Sequence, residues 1–208
     1  MNILETGALG WQHEAWNNTY YPEDLPEDWR LDYYSHHFNF VVIKGHEWRN
    51  VTRGDVDQWL DDVADSFLFY LSVDTGGLDA DVLDQLRSIK AGLGERLSGI
   101  LLTGVMQGVA DVLATELTRL ATVYTDMADG SVPAGDMKGC WRPGSGITGA
   151  RLGILPAESA MDMRGMRVCI QEFLAQRGES GELGLVFEGE PPPVKAMQDA
   201  QVIIEMLT

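Results

Sequence analysis

The chain has 208 residues, of which 32 are acidic and 15 are Lys or Arg, giving a formal net charge of −17. Nucleic-acid binding draws its affinity from cations that neutralise phosphates, and anionic lipid surfaces repel acidic proteins, so this charge argues against both kinds of partner. Apolar residues at 45% and charged residues at 23% are ordinary for a globular protein, which argues against general disorder.

The sequence also lacks the marks of membrane insertion or secretion. No apolar run approaches the roughly 20 residues that cross a bilayer. The first residues, MNILETGALGW, lack the basic region and unbroken apolar stretch of a signal peptide. Two cysteines, Cys140 and Cys169, are too few for a disulfide framework, so we expect reduced thiols, with a single bridge as the less favoured alternative. These features predict a cytoplasmic protein.

The first fifty residues predict a strand, an aromatic loop, a helix and a second strand. The first strand is ILETGAL, and the loop that follows carries two tryptophans and two tyrosines. Pro26 suits the first turn of a helix that we expect to end near His37. Its spacing predicts that Trp29, Tyr33 and Phe38 share one face. The second strand is FNFVVIK.

The same alternation continues to residue 126. Asp55 is placed to cap a helix whose apolar residues begin at Val56 and Trp59, and further helices are predicted from about Ala80 and over 108–119. The strands between them are FLFYLSV, GILLTG and ATVYTD. Strands that alternate with helices are typical of a parallel sheet with right-handed crossovers.

Glycine and proline interrupt this rhythm between Met127 and Gly149, where only MKGCWR predicts a short strand. Regularity returns with the strands ARLGIL and LGLVFE and with helices over 162–177 and 194–207. Eight strands but only six helices are thus predicted, so one or two helices are expected to be missing or shortened around residues 127–149.

The predicted fold is α/β, a single TIM-like (β/α) barrel domain over residues 1–208 with parallel strands. One strand–helix unit needs about 22 residues with its loops, so eight units need about 176. An open doubly wound sheet is the alternative, although no G-x-G-x-x-G motif follows the first strand.

The N-terminal residues resemble the YecE-like proteins, a barrel family of unassigned function. The resemblance is carried by G-x-x-G-W, W, Y-Y-P, L-P, W, Y-Y and F-N followed by V-x-I, and then by F-x-F in the third strand. In this sequence those residues are Gly7, Gly10, Trp11, Trp16, Tyr21, Pro22, Leu25, Pro26, Trp29, Tyr33, Tyr34, Phe38, Asn39, Val41, Ile43, Phe67 and Phe69. The resemblance implies a TIM-like barrel.

Polar residues that the family carries at its strand ends are replaced in this chain. Val42 and Lys44 stand where the family has Glu and Asn, Ser72 where it has Lys, and Glu188 where it has Asn. The scaffold residues are kept and the polar ones are changed, which predicts a divergent and shortened member whose family site is altered or lost.

Barrel enzymes place their chemistry at the carboxyl ends of the strands, so the candidate site residues are those that follow each strand. We expect an exposed ligand pocket with Trp11 and Trp16 as its floor and charges around its rim. The candidates are Trp11, His13, Trp16, Lys44, His46, Glu47, Arg49, Asp74, Arg142 and Glu188. For each of them a packing or solvated-surface role is the competing interpretation.

Two more specific chemistries are weaker hypotheses. His13, His46, Glu47 and Asp74 offer nitrogen and oxygen ligands for a metal, but there is no H-E-x-x-H motif. The loop GSGITG over 144–149 has backbone amides for a phosphate, without the Lys and Ser/Thr of a Walker loop. The sequence therefore names no cofactor and leaves any catalysis open.

The sequence supports two alternative hypotheses about function. The first is a YecE-like barrel that binds a small molecule, either phosphorylated or metal-bound, at the carboxyl-end face of its strands. The alternative is a non-catalytic, degenerate barrel that acts through a protein partner or as a homo-oligomer. This alternative rests on the replaced polar residues of the family and on the helix-poor region 127–149, which would leave apolar barrel wall for a partner to cover.

Overall fold

The computed structural model describes residues 4–104, 111–126, 135–156, 162–176 and 182–207. Its contacts divide the chain into two compact units. Unit one comprises Met1–Val41 with Cys140–Thr208, and unit two comprises Val42–Gly139. The boundary falls inside the second strand. A single domain over residues 1–208 stays a prediction.

All eight predicted strands are present in the described residues. They are β1 (Leu4–Leu9), β2 (Phe40–Ile43), β3 (Leu68–Asp74), β4 (Leu97–Thr103), β5 (Val123–Thr125), β6 (Lys138–Gly139), β7 (Leu152–Leu155) and β8 (Leu183–Phe187). The helices are α1 (Arg30–Ser35), α2 (Gly45–Trp48), α3 (Arg53–Asp61), α4 (Ala80–Leu93), α5 (Asp111–Leu120), α6 (Met163–Ala175) and α7 (Val194–Leu207). The parts of the predicted 108–119 and 162–177 helices at residues 108–110 and 177 lie outside the described residues.

In unit one the strand order is β2-β1-β8-β7. The first and last strands of the chain pair in parallel, with Leu4 opposite Leu183 and Ala8 opposite Phe187. β7 pairs with the other side of β8, also in parallel. Parallel pairing places the carboxyl ends of β1, β7 and β8 at one end of this sheet, so their loops are the place to look for a site.

In unit two the strand order is β6-β5-β4-β3-β2. β3, β4, β5 and β6 pair in parallel, with one register shift between Phe69 and Tyr70. Phe69, Leu71 and Val73 of β3 are fully buried, and so is most of β4. Buried apolar runs of this kind are typical of parallel strands covered on both faces.

Two details of the helices differ from the sequence predictions. Trp29, Tyr33 and Phe38 were expected to share one face, but Trp29 is 60% exposed and Phe38 is fully buried. The buried residues of α1 are Leu31 and Tyr34. The reason is that residues 27–29 form a 3-10 turn, which rotates Trp29 out of the helical stripe. The four-residue helix α2 was not predicted, because it is too short to show a period.

The cap of α3 is Thr52, and the prediction that Asp55 caps this helix was wrong. The Thr52 hydroxyl accepts a hydrogen bond from the Asp55 backbone N–H, and the Asp55 carboxylate accepts one from the Thr52 backbone N–H at 2.6 Å. This is a capping box with Asp in the third position. The hydrogen bonds from Thr52 lower the pKa of the Asp55 carboxyl.

Residues 135–151 contain no helix, as the sequence predicted, while residues 127–134 lie outside the described part. The expected bare barrel wall is nevertheless wrong for this region. Cys140 and Trp141 are 2% and 4% exposed, and every residue of β7 is buried. The Trp141 ring packs against Phe173 of α6 at 5.2 Å, so α6 covers this part of the wall.

The two cysteines are not joined in a disulfide, as expected, and burial raises the pKa of the Cys169 thiol. Within the described residues, no helix has the length and apolar content needed to cross a membrane.

Gly7 of β1 lies where a side chain would collide with β2. A Cβ atom at this position would lie 2.4 Å from the Phe40 carbonyl oxygen and 2.7 Å from the Phe40 ring. The carbonyl belongs to the backbone of the sheet and cannot rotate away. Glycine is therefore required here for the close approach of the two strands.

We expect Gly7→Ala to lower the free energy of unfolding by about 2 kcal/mol through overpacking, which a thermal melt would register as a fall of roughly 5 °C. Gly54→Ala is the matched control, because Gly54 lies in α3 and the nearest atom to its added Cβ is 3.6 Å away. That change should stabilise the helix by up to about 1 kcal/mol. Equal melting temperatures for Gly7→Ala and the wild type would show that a Cβ atom at this position does not collide with Phe40.

Candidate functional site

The loop after β1 is held in place by Trp16. The backbone carbonyl of Trp16 accepts hydrogen bonds from the N–H groups of Tyr20 and Tyr21, both at 2.9 Å, so the chain folds back on itself. Its indole N–H donates to the carbonyl oxygen of Pro192 at 3.0 Å. The buried Trp16 thus joins the loop after β1 to the turn after β8.

A tyrosine hydroxyl joins β1 to β2. The Tyr34 hydroxyl accepts a hydrogen bond from the Ala8 backbone N–H at 2.7 Å and donates one to the Phe40 carbonyl oxygen at 2.9 Å. Tyr34 is fully buried, and burial raises its pKa well above the usual range, with the Ala8 hydrogen bond acting in the opposite direction. The hydroxyl therefore keeps its proton and can act as donor and acceptor at once.

Replacement of Tyr34 by Phe would leave two buried backbone groups without this partner, at a cost of about 1–3 kcal/mol each. We expect the free energy of unfolding, measured by denaturant titration, to fall by about 3 kcal/mol.

Tyr33→Phe is the control, since Tyr33 is the preceding residue on the same helix and is only half-buried. Its stability should change by less than about 0.5 kcal/mol. A loss of similar size in both variants would rule out a special role for the Tyr34 hydroxyl.

Trp11 and His13 were expected to be exposed and are buried instead, at 2% and 6%. The carbonyl of Trp11 accepts a hydrogen bond from the Tyr21 hydroxyl at 2.6 Å. The Nε2 atom of His13 lies 3.0 Å from the Leu9 carbonyl oxygen. A carbonyl can only accept, so Nε2 carries the proton. Sequence alone could not show that these loop residues fold inward.

His13 also lies between Trp16 and an acidic side chain, Glu190. Its ring lies 4.6 Å from the Trp16 ring, and its Nδ1 atom lies 3.6 Å from a carboxylate oxygen of Glu190 in the turn after β8. One side of the His13 ring thus packs on Trp16, while its Nδ1 atom is near the Glu190 carboxylate.

The structure brings together two other predicted site residues, Arg142 and Glu188. The guanidinium group donates two hydrogen bonds to the carboxylate, at 2.9 and 3.0 Å. Both side chains are a little over one quarter exposed. This forked pair lies directly after β8, at the strand-end face of unit one.

The predicted candidates of unit two have local structural roles. The Glu47 carboxylate accepts a hydrogen bond from the Lys44 N–H at 3.0 Å at the start of α2. The Arg49 guanidinium donates to the Gly77 carbonyl at 3.3 Å. These contacts fit the packing interpretation.

Asp74 and His46 are exposed. Asp74 caps the 3-10 turn at Thr75–Gly77, where its carboxylate accepts the Gly76 N–H at 2.8 Å.

Neither specific chemistry gains support in the described residues. Among them, no group of three or more His, Cys, Asp or Glu side chains could hold a metal ion. In the glycine loop, the Ser145 hydroxyl accepts hydrogen bonds from the N–H groups of Arg142 and Ile147. The Gly149 N–H donates to the Gln176 carbonyl at 2.8 Å. Several amides that a phosphate would use are thus already bonded within the protein.

A cavity of about 510 Å³ lies in unit one, beside the loop after β1 and the turn after β8. Its wall is made by the loop after β1 (Ala15, Trp16, Thr19, Tyr20), α1 with the residues at its end (Tyr33, His37), the turn Pro191–Pro193 and the start of α7 (Val194, Lys195, Gln198). Trp16 is the one predicted candidate in this wall. The other wall residues lie beside Trp16 in the loop after β1, on α1 and just after it, and after β8, and none of them was a predicted candidate.

The polar groups of the cavity are few and defined. The His37 Nδ1 atom lies 3.0 Å from the Tyr33 carbonyl oxygen at the end of α1, which leaves Nε2 as the ring nitrogen for a ligand. Burial raises the pKa of Tyr20, and the neighbouring tyrosines add to the rise, so its hydroxyl stays protonated. Lys195 is a cation of the wall and is paired with Asp199 at 2.8 Å. None of the described residues that line the cavity is acidic.

Comparison with known proteins agrees with this architecture. A DUF72 family protein from Thermotoga maritima superimposes with a TM-score of 0.66 at 12% identity, covering 98% of this chain and 99% of that one. Two crystal structures of a DUF72 family protein from Enterococcus faecalis give TM-scores of 0.66 and 0.65 at 12% and 10% identity, each covering at least 96% of both chains. The strand and helix order therefore defines an α/β TIM-like barrel, and the predicted fold class is confirmed.

The family model described as "Protein of unknown function DUF72" matches residues 5–75, from β1 to the end of β3. YecE-like proteins are this same family, so the predicted resemblance is confirmed over the part of the chain that carries the motif residues. No curated protein matches the sequence.

Proposed function

We propose that this DUF72-like barrel protein binds a small molecule in the 510 Å³ cavity beside Trp16. The observation that carries the proposal is the cavity itself. Ligand sites typically occupy about 300–1,000 Å³ and combine apolar or aromatic walls with a few placed polar groups. The loops after β1 and β8 contribute to the wall, and in barrels these strand-end loops are where ligands bind.

The wall chemistry favours a flat, partly apolar ligand with a hydrogen-bond donor. The Tyr20 and Tyr33 rings lie 5.4 Å apart and, with Trp16 and the prolines, offer aromatic and apolar surface. The Tyr33 carbonyl takes up the Nδ1–H of His37, so the Nε2 atom of the neutral ring can accept a hydrogen bond from the ligand. Lys195 is exposed and already paired with Asp199.

The cavity is preformed, which reduces the cost of binding. Trp16 fixes the two loops to each other through its indole hydrogen bond to Pro192. The His13 ring packs against the Trp16 ring at 4.6 Å. We place Trp16 and His13 in positioning roles.

A thermal-shift screen against sugar phosphates, nucleotides and aromatic carboxylates tests the proposal. A ligand at 100 times its dissociation constant adds about 2.7 kcal/mol, which for this chain length raises the melting temperature by roughly 5–10 °C. Gln198→Trp should reduce the shift, because Gln198 is an exposed wall residue and the larger tryptophan ring would occupy part of the cavity.

Gln58→Trp is the matched control, since Gln58 is exposed on α3 of unit two. It should leave the shift unchanged. Silence across the panel, or a shift of wild-type size in Gln198→Trp, would overturn the proposal.

Self-association or a protein partner is the alternative function. It is favoured by Val202 and Met206, which are 47% and 67% exposed and lie four residues apart on one face of α7. Exposed apolar stripes of this kind are typical of contact surfaces.

If α7 mediates self-association, the wild-type protein will sediment as an oligomer and Val202→Lys with Met206→Lys will sediment as a monomer. Trp29→Lys, at another exposed apolar residue, should leave the oligomer intact. A monomeric wild type at about 100 μM would eliminate self-association, because obligate dimers bind far more tightly.

A further inference from the structure

The aromatic cavity beside Trp16 has a polar side chain whose hydrogen-bonding groups are unused. Gln198 of α7 lines this cavity and is exposed, and its amide makes no hydrogen bond with another described residue. A primary amide carries an N–H donor and a carbonyl acceptor side by side in one plane. Gln198 can therefore pair with a ligand that presents an acceptor and a donor on one edge.

A neighbouring glutamine holds this part of α7 against the end of α1. Gln201 donates from its amide to the His37 backbone carbonyl at 2.6 Å. Residues three apart on a helix lie on the same side of it, so Gln198 lies on the side of α7 that meets His37. Both Gln198 and His37 line the cavity.

His37 supplies a second acceptor at this end of the cavity. Its Nδ1 atom lies 3.0 Å from the Tyr33 carbonyl oxygen and 3.3 Å from the Tyr20 hydroxyl. The carbonyl can only accept, so Nδ1 carries the proton and Nε2 of the neutral ring carries a lone pair. The described residues give Nε2 no hydrogen-bond partner, so a ligand can donate to it.

The remaining wall suits a planar ring. The Tyr20 ring lies 5.4 Å from the Tyr33 ring and 5.2 Å from the Trp16 ring, and the prolines after β8 complete the apolar surface. Flat heterocycles stack on aromatic side chains of this kind. A rigid ring system also loses little conformational freedom on binding.

We propose that this cavity binds a planar heteroaromatic base with an amino group beside a ring nitrogen, as in adenine and cytosine. This rests on the proposed function, because it names the class of ligand for the same cavity. The ring nitrogen accepts a hydrogen bond from the Gln198 amide nitrogen. The amino group donates one hydrogen to the Gln198 carbonyl oxygen and the other to the His37 Nε2 atom. Glutamine forms the same two-bond pair with adenine in protein–DNA complexes.

Isothermal titration with 9-methyladenine tests this class of ligand. The matched probe is 9-methylpurine, which keeps the flat ring and lacks the amino group. We expect 9-methyladenine to bind and 9-methylpurine to bind at least about tenfold more weakly.

Gln198→Met keeps the length of this exposed side chain and removes the amide. It should weaken binding of 9-methyladenine by about tenfold, with a smaller effect on 9-methylpurine. Gln58→Met is the control, because Gln58 is exposed on α3 of unit two, and it should change neither affinity.

His37→Leu should weaken binding of 9-methyladenine by about threefold, through loss of the Nε2 acceptor. His36→Leu is the control. The His36 Nδ1 atom makes the equivalent contact with the Asp32 carbonyl at 2.8 Å, but His36 does not line the cavity. Equal losses in the two variants would show that the end of α1, and not Nε2, is what matters.

Absence of 9-methyladenine binding, equal binding of 9-methylpurine, or wild-type affinity in Gln198→Met would overturn this inference. The proposed function can survive such a result. If another ligand of the thermal-shift panel binds and Gln198→Trp reduces its shift, the cavity is a binding site for a different class of molecule.

Discussion

The Tyr34 hydroxyl is the contact on which unit one depends. It stands between two neighbouring strands and satisfies a backbone donor of β1 and a backbone acceptor of β2 at the same time. A neutral phenol can do this because burial keeps it protonated. Gly7 lies next to Ala8 on β1 and closes against Phe40, the residue whose carbonyl Tyr34 binds. The Tyr34 hydroxyl and the absence of a side chain at Gly7 together set the local spacing of β1 and β2.

The aromatic cavity is also connected to Tyr34. The Tyr34 ring is stacked with that of Trp16 at 6.3 Å, and Trp16 reaches the turn after β8. Trp11 and Trp16, the aromatic residues predicted to bind a ligand, thus mainly stabilise the fold. Trp11 and Trp16 are buried, and of the two only Trp16 lines the cavity, beside Tyr20 and Tyr33. Packing and binding are therefore two functions of one aromatic cluster.

Apolar runs made the strands predictable, since each strand of a parallel sheet is buried on both faces. The site was less accessible to sequence reasoning. Arg142 and Glu188 were named separately, but their pairing depends on the bridge of Trp141 to Gly153 of β7 and on the pairing of β7 with β8, which no local pattern encodes. His13 looked exposed because loops usually are, whereas the carbonyl of Leu9 turns it inward. Lys195 and Gln198 gave no signal at all, because they enter the cavity wall only after α7 has packed.

The pairing of β1 with β8 also bears on how the chain acquires its structure during synthesis. Unit two is continuous and is complete once residue 139 has been made, so its strands can pair soon after they leave the ribosome. β1 must wait for Leu183–Phe187, because these residues supply its neighbour in the sheet. Contacts between residues so far apart in sequence form slowly. The first forty residues, with their aromatic cluster, are therefore the part of the nascent chain that stays longest without its final partners and most exposed to chaperones.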